Sequence, residues 1–421
     1  MKKSIYLTLS ILIMLTMILT ACTPAAAPTA APAPVQPTSA PAAAQPTTPP
    51  AAAPKNPGLA SDAAKVAMQF FDQKEMDAEL ALIDKPALNP SDPIYQQYLT
   101  DTTIDTTKYK KPGPYNICFS NSGVGNPWRV VGMTDMNEEV KLHPADIKSF
   151  TNVDAQSKDE KQIADIADLV AGGKCDILIV APNTTAALTP AIEAACKVLP
   201  VIEFDRYSLS DCAVVKERSI GGYAFGAVGA KFIVDNLPKG GNVLALRILP
   251  GVDVLEQRWG AARQIFEKAG NINVVGVEFG NGDNAKVKTI VADYLDRYKI
   301  DAVWMDAGAT SVAALEAFAD AGKPYPIITG EDQNDFLKYW KDNKLTAIAP
   351  TFSTYMWRTA ILAALKVLKG EKVQSRWYLP QPYVTNATLD KYYNPKMPPL
   401  HYAMCGCEDM PTYPQAWGGT K

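Results

Sequence analysis

The chain has 421 residues, and its 41 Lys and Arg nearly balance 44 Asp and Glu for a net charge of -3; the length leaves room for two domains. No basic run of the kind that neutralises phosphates follows the first residues, which excludes DNA or RNA as the expected partner. The histidines are His143 and His401, without His-x-x-x-His, Cys-x-x-Cys or a phosphate-cradling glycine loop, so the sequence offers no enzymatic motif and no cofactor or metal is expected.

Residues 1–22 read as a lipoprotein signal peptide. Lys2 and Lys3 precede an apolar stretch, Ile5 to Leu19, too short for a comfortable membrane span. It ends in Leu19-Thr20-Ala21-Cys22, which resembles the bacterial lipobox, so Cys22 is the expected lipidation site and the body lies outside the cytoplasm. Residues 23–57 are almost wholly Ala, Pro, Thr, Gln and Ser, a composition that forms no core and favours an extended linker. In the 58–112 spacer, Val66, Phe70, Phe71, Met76, Leu80 and Ile83 predict a helix over Ser61 to Asp84, stopped by Pro86.

After Pro112-Gly113-Pro114, apolar strands alternate with amphipathic helices, the pattern of α/β units on parallel sheets. Strands are expected at 115–120, 147–152, 177–181, 198–204, 243–249, 272–279, 302–305, 326–329 and 346–349, with helices in the intervals. Cys212 to Val215 is strand-like and runs into Ser219-Ile220-Gly221-Gly222, where a new helix opens. Two doubly wound lobes joined by a glycine-containing hinge account for the length better than one sheet. The expected N-terminal lobe is 113–218 with 351–380, the C-terminal lobe 219–350 with 381–396, and 397–421 is a tail.

Several segments carry a resemblance. Gly113-Pro114-Tyr115-Asn116-Ile117-Cys118-Phe119-Ser120-Asn121, followed by Asn126-Pro127-Trp128-Arg129, is similar to the first strand and binding loop of the ribose- and galactose-binding family of type I periplasmic binding proteins. Val201-Ile202-Glu203-Phe204-Asp205-Arg206 resembles its fourth strand, and Leu255-Glu256-Gln257-Arg258-Trp259-Gly260 the segment that supplies an Arg from the other lobe. Asp301 to Asp306 and Thr329-Gly330-Glu331-Asp332 resemble two further strands with polar ends. The chain departs from the pattern at Pro350, where a glutamine is common, at Asp306, which stands for Asn, and at Gly221, near a usual hinge Asp. The resemblance, over residues 113–396, implies a substrate-binding subunit of an ATP-driven (ABC) sugar importer, with Asn121, Asn126, Trp128, Arg129, Asp205, Arg206, Arg258, Asp306 and Asp332 as ligand-binding residues. The expected ligand is a monosaccharide or polyol, and the partners are the importer's membrane subunits. A nucleoside, autoinducer or amide receptor, or a sensory lipoprotein, fits the same fold.

A sugar has hydroxyl rims and less polar C–H faces, so it needs an aromatic plane and bidentate polar groups. Trp128 can supply the plane, or serve the core of the helix it opens. Asp205, Arg206 and Arg258 can supply paired acceptors and forked donors, or stand as surface ions; Asp306 and Asp332 can equally cap or turn the chain. Of the cysteines after Cys22, Cys118 and Cys175 read as buried thiols, and Cys196 with Cys212 is the preferred bridge. Some bridge of Cys405 or Cys407 is expected to pin the tail, and His401 with that pair gives only a faint metal pattern.

Overall fold

The computed structural model describes residues 55–421; the predicted signal peptide, Cys22 and nearly all of the linker lie outside the described residues. Two six-stranded sheets organise the rest. The first has the order β13-β6-β5-β4-β2-β3, from β2 (Tyr115–Asn121), β3 (Ile147–Asp154), β4 (Ile177–Ala181), β5 (Val201–Phe204), β6 (Val215–Ser219) and β13 (Arg376–Leu379), all parallel. The second has the order β14-β11-β10-β9-β7-β8, from β7 (Gly241–Arg247), β8 (Ile272–Phe279), β9 (Ala302–Met305), β10 (Ile327–Thr329), β11 (Ala347–Pro350) and β14 (Tyr383–Val384), with β14 antiparallel to β11. β1 (Thr103–Ile104) pairs apart from both with β12 (Val373–Gln374).

The helices between strands are α2 (Pro127–Leu142), α3 (Asp159–Ala171), α4 (Thr185–Cys196), α5 (Tyr223–Asn236), α6 (Asp253–Ala269), α7 (Asn284–Leu295), α8 (Ser311–Asp320), α9 (Asn334–Asn343) and α10 (Met356–Lys369); α1 (Gln73–Leu80) precedes them and α11 (Leu389–Tyr392) follows. Helices on both faces leave the central strands no exposed side. Ile177 to Ala181 of β4 are accordingly apolar and 0% exposed, the run expected of a doubly covered parallel strand.

Three segments pass between the sheets: 219–223, 350–356 and 379–383. They hold one another, since the Ile220 amide donates to the Leu379 carbonyl at 3.2 Å and Gln381 Nε2 donates to the Thr351 carbonyl at 2.6 Å. A Cβ on Gly221 would meet the Phe352 ring at 2.0 Å, so only glycine lets these two crossings touch.

The structure corrects three expectations. The helix over 61–84 reduces to α1, because Val66 and Phe71 lie against Gly260 while Met76 packs with Tyr223 and Ala227. Those contacts pull the chain along the second lobe as turns rather than along one helical face. The same segment then crosses to the first lobe, where the Leu99 amide donates to the Tyr378 carbonyl at 2.9 Å.

Cys118 and Cys175 are bridged, with Cα atoms 5.6 Å apart, because the parallel pairing of β2 with β4 brings them together. Cys196 and Cys212 are bridged as preferred. The third bridge joins Cys405 to Cys407, so it closes a local loop and pins nothing at a distance. The tail is held by hydrogen bonds instead. Pro399 and His401 carbonyls accept from the first amides of α9, at 2.7 and 2.8 Å, groups a helix cannot satisfy itself, and Trp417 Nε1 donates to Asp135 of α2 at 2.7 Å.

Candidate ligand-binding site

The carboxyl ends of both sets of strands converge on the crossings, the place where open α/β sheets put their ligands. From the first lobe, Asn121 ends β2 and is wholly buried. Its Oδ1 accepts from Arg129 Nη1 at 3.0 Å, and Arg129 Nη2 reaches Asp205 Oδ2 at 2.5 Å. Asp205 follows β5 with φ of 68°, a left-handed conformation that turns the chain at the strand end. Burial, opposed by the Asp205 charge, brings the Arg129 guanidinium down to about 10, so it stays charged at neutral pH.

Trp128 is 8% exposed. Its ring stacks on Phe352 at 5.4 Å and 27°, meets Trp357 edge-on at 5.4 Å, and its Nε1 donates to the Phe352 carbonyl. One face of Trp128 therefore belongs to the crossing segment. Arg206 lies 3.7 Å from Asp205 Oδ2, and its Nη1 donates to the Asn183 carbonyl at 2.6 Å, which holds it at the rim.

From the second lobe, Arg258 is buried at 3% exposure. Its Nε donates to the Gly221 carbonyl at 2.7 Å, its Nη1 to the Asp306 carbonyl at 2.5 Å, and its guanidinium lies over Phe225 at 4.0 Å and Phe352 at 4.8 Å. Burial pulls this group down, against the charges of Glu331, Asp306 and Asp205. Asp205 belongs to the other lobe, so the two sides face each other here.

Asp306 and Asp332 are wholly buried. Each spends one carboxylate oxygen on a backbone amide, from Ile248 at 2.9 Å and Met404 at 2.6 Å. The other oxygen of each, Asp306 Oδ2 and Asp332 Oδ1, is buried without a partner, as is Asn121 Nδ2. Desolvation by burial raises both carboxyls to about 7.

Asn126 stands apart from this group. It is exposed and caps α2, its Oδ1 accepting from the Arg129 amide at 2.9 Å. It borders a surface groove with Val124, Val130 and Leu400.

Sequence reasoning missed several groups at the junction. Arg218, next to last in β6, binds Asp253 at 2.8 Å and Gln257 at 2.8 Å, both on α6 of the second lobe. Glu217 is wholly buried with neither carboxylate oxygen partnered; burial and the nearby Asp205 charge push it well above the carboxylate range. These residues sit in Lys216-Glu217-Arg218, a charged run that does not read as a strand. Phe352 had no polar pattern to mark it, and Glu331, 4.0 Å from Arg258, lay inside a recognised motif without being singled out.

Residues 117–372 match the family described as periplasmic binding protein domain. The chain is 28% identical over 287 residues to the ribose import binding protein RbsB of Bacillus subtilis, an alignment covering 66% of this chain and 91% of that protein. The Escherichia coli ribose import binding protein is 27% identical over 228 residues, 53% of this chain and 76% of that one. Among solved structures, an ABC transporter solute binding protein from Thermobispora bispora superposes with a TM-score of 0.63 at 27% identity, covering 68% of this chain and 90% of that one. A Bacillus halodurans solute binding protein with bound myo-inositol gives 0.61 at 22% identity, covering 67% and 98%.

Proposed function

Because the chain belongs to the periplasmic binding protein family, we propose that it captures a monosaccharide or polyol between its lobes and delivers it to an ABC importer. The observation that carries the ligand class is that three of the unpaired buried groups at the junction, beside the Glu217 carboxylate, lie on residues that the resemblance assigns to the ligand. Asp306 Oδ2 and Asp332 Oδ1 can only accept while ionised and Asn121 Nδ2 can only donate. A hydroxyl does both, so a polyhydroxylated ligand satisfies all three, whereas an anion would meet two carboxylates. The similarity to ribose import binding proteins and to a solute binding protein with bound myo-inositol supports the same class.

In this reading Asn121, Trp128, Arg129, Asp205 and Arg206 form the wall of the lobe 113–218 with 351–380. Arg258, Asp306 and Asp332 form that of the lobe 219–350 with 381–396. Closure is stabilised by the ligand's greater affinity for the closed form. The Arg218 bridge to Asp253 and Gln257 is a contact between the lobes that closure makes. Calorimetry with pentoses, hexoses and inositols, beside nucleosides and amides, tests the class: a response to sugars or inositols supports it, and a response to nucleosides or amides alone refutes it.

Cys22 is the proposed acylation site, on the evidence of Leu19-Thr20-Ala21-Cys22 and the proline-rich segment after it. Several acyl chains on one cysteine give stable anchoring where a single chain does not. Among the described residues no helix is long and apolar enough to cross a membrane. Cys22→Ser should abolish palmitate incorporation and release the protein from membranes; equal incorporation in the variant would refute the anchor.

A further inference from the structure

The tail carries donor atoms that the ligand site does not use. One ring nitrogen of His401 and the sulfurs of Cys405 and Cys407 lie within 4.8 Å of one another. Both cysteines are 0% exposed and His401 is 4% exposed. His401 Nδ1 is buried without a hydrogen-bond partner, an independent sign of an unmet need at this point.

A cavity of about 360 Å³ is lined by Met397, His401, Met404 and Gly406 among others, which gives an ion a route to His401. The turn between the cysteines is fixed from outside the sulfur bridge. Arg358 Nη1 donates to the Gly406 carbonyl and to Asp409 Oδ1 at 2.6 Å, and Gly406 holds φ of 56° against the Tyr355 side chain. The turn therefore keeps its place when the bridge opens.

We propose that reduction of Cys405–Cys407 by a dithiol turns this cluster into a binding site for one cuprous ion, with His401 as third ligand. The dithiol gives up two electrons and becomes a disulfide, and its two protons pass to the Cys405 and Cys407 sulfurs. Those protons leave again as the thiolates bind the ion. Metal bonds of about 2.0–2.3 Å put the donors around one ion about 3.5 Å apart, a spacing the cluster reaches once the sulfurs separate. The two soft thiolate ligands select Cu(I) over harder ions.

The test uses the full chain, reduced with dithiothreitol, desalted without oxygen and titrated with Cu(I) held by bicinchoninate. The reduced protein should retain one equivalent more than a Cys405→Ser/Cys407→Ser variant, whose other cysteines are the same, and the oxidised protein should show no such excess. His401→Gln should weaken retention at least about tenfold. A measurement that needs no variant is alkylation by iodoacetamide followed peptide by peptide: Cu(I) should protect Cys405 and Cys407 selectively. Equal copper in the reduced protein and the double variant, or equal alkylation with and without Cu(I), overturns the site; protection by Zn(II) but not Cu(I) overturns the choice of ion.

Discussion

The two walls of the cleft hold the same kinds of side chain in different states. In the first lobe, Arg129 closes on Asn121 and Asp205 at 3.0 and 2.5 Å, so these three residues are paired among themselves with Asn121 Nδ2 left over, while Glu217 beside them keeps both oxygens unpaired. In the second lobe, Asp306 and Asp332 each tie one oxygen to a backbone amide and leave the other unpaired. The first wall is therefore held rigid, since each partner locks the next, and in the proposed reading the second supplies acceptors for the ligand's hydroxyls. The ion-paired triad belongs to one side, and both sides keep buried groups with unmet hydrogen bonds.

The largest effect should come from the group that touches both. Arg258→Ala removes the cation between Asp306, Glu331 and the Gly221 carbonyl, leaving buried carboxylates without their counter-charge. Truncating one partner of such a buried pair costs about 2–5 kcal/mol, so affinity should fall at least about thirtyfold by calorimetry. Ligand-induced compaction in solution scattering should weaken with it. An Arg258→Ala protein that binds and closes normally would remove the second lobe from the site.

Trp128→Ala comes next. It removes a ring stacked on Phe352 and a donor to the Phe352 carbonyl, a loss of about 2 kcal/mol of stacking and burial. If the exposed part of the ring meets the ligand, affinity drops roughly thirtyfold while the fold survives. Unchanged affinity with a lowered melting temperature would return Trp128 to the core.

The second wall should also respond to pH, and the two linked effects have opposite signs. Asp306 and Asp332 are raised to about 7 by burial. Between the ordinary carboxylate range and pH 7, the folded protein holds protons the unfolded chain has lost. These groups therefore make the ligand-free protein less stable as pH rises through that window. Hydroxyls donating to the ionised oxygens favour the charged form, so binding releases protons. Affinity should rise, roughly tenfold, from pH 5.5 to 7.5 and then level off. Asp332→Asn should flatten that profile, and a flat profile in the unaltered protein would show that the ligand does not meet these oxygens.

What the sequence could reveal follows from how local the governing physics is. The strands 177–181 and 302–305 stand as expected, because a strand covered on both faces must be apolar along its length; 272–279 also stands, at the sheet edge, with Asn273 and Glu278 interrupting its apolar run. β6 was placed too early because Lys216, Glu217 and Arg218 are all buried in it, with partners in Glu203 and Asp253 that only the folded chain brings near. The bridge between Cys118 and Cys175 depends on strand order, which spacing does not encode. Phe352 acts through a crossing segment between lobes, and nothing in Pro350-Thr351-Phe352 distinguishes it from loop.

Asn121 and Asn126 give the finest division, since both come from one short motif and the fold separates them. Asn121 is wholly buried, with Nδ2 unpaired. Asn126 is exposed and its carbonyl oxygen is committed to the Arg129 amide at 2.9 Å. A capping asparagine replaced by alanine costs about 1 kcal/mol of stability. Asn126→Ala should therefore lower the melting temperature by a few degrees and leave affinity within about twofold, because the helix it caps carries Trp128 and Arg129 but is held by their own buried contacts. Asn121→Ala should instead weaken binding, since it takes away a free buried donor and the acceptor that orients Arg129. Calorimetry on the two variants side by side decides the assignment: a large affinity loss at Asn126 with none at Asn121 would mean that the ligand lies at the surface groove near Val130 and Leu400 and not between the walls.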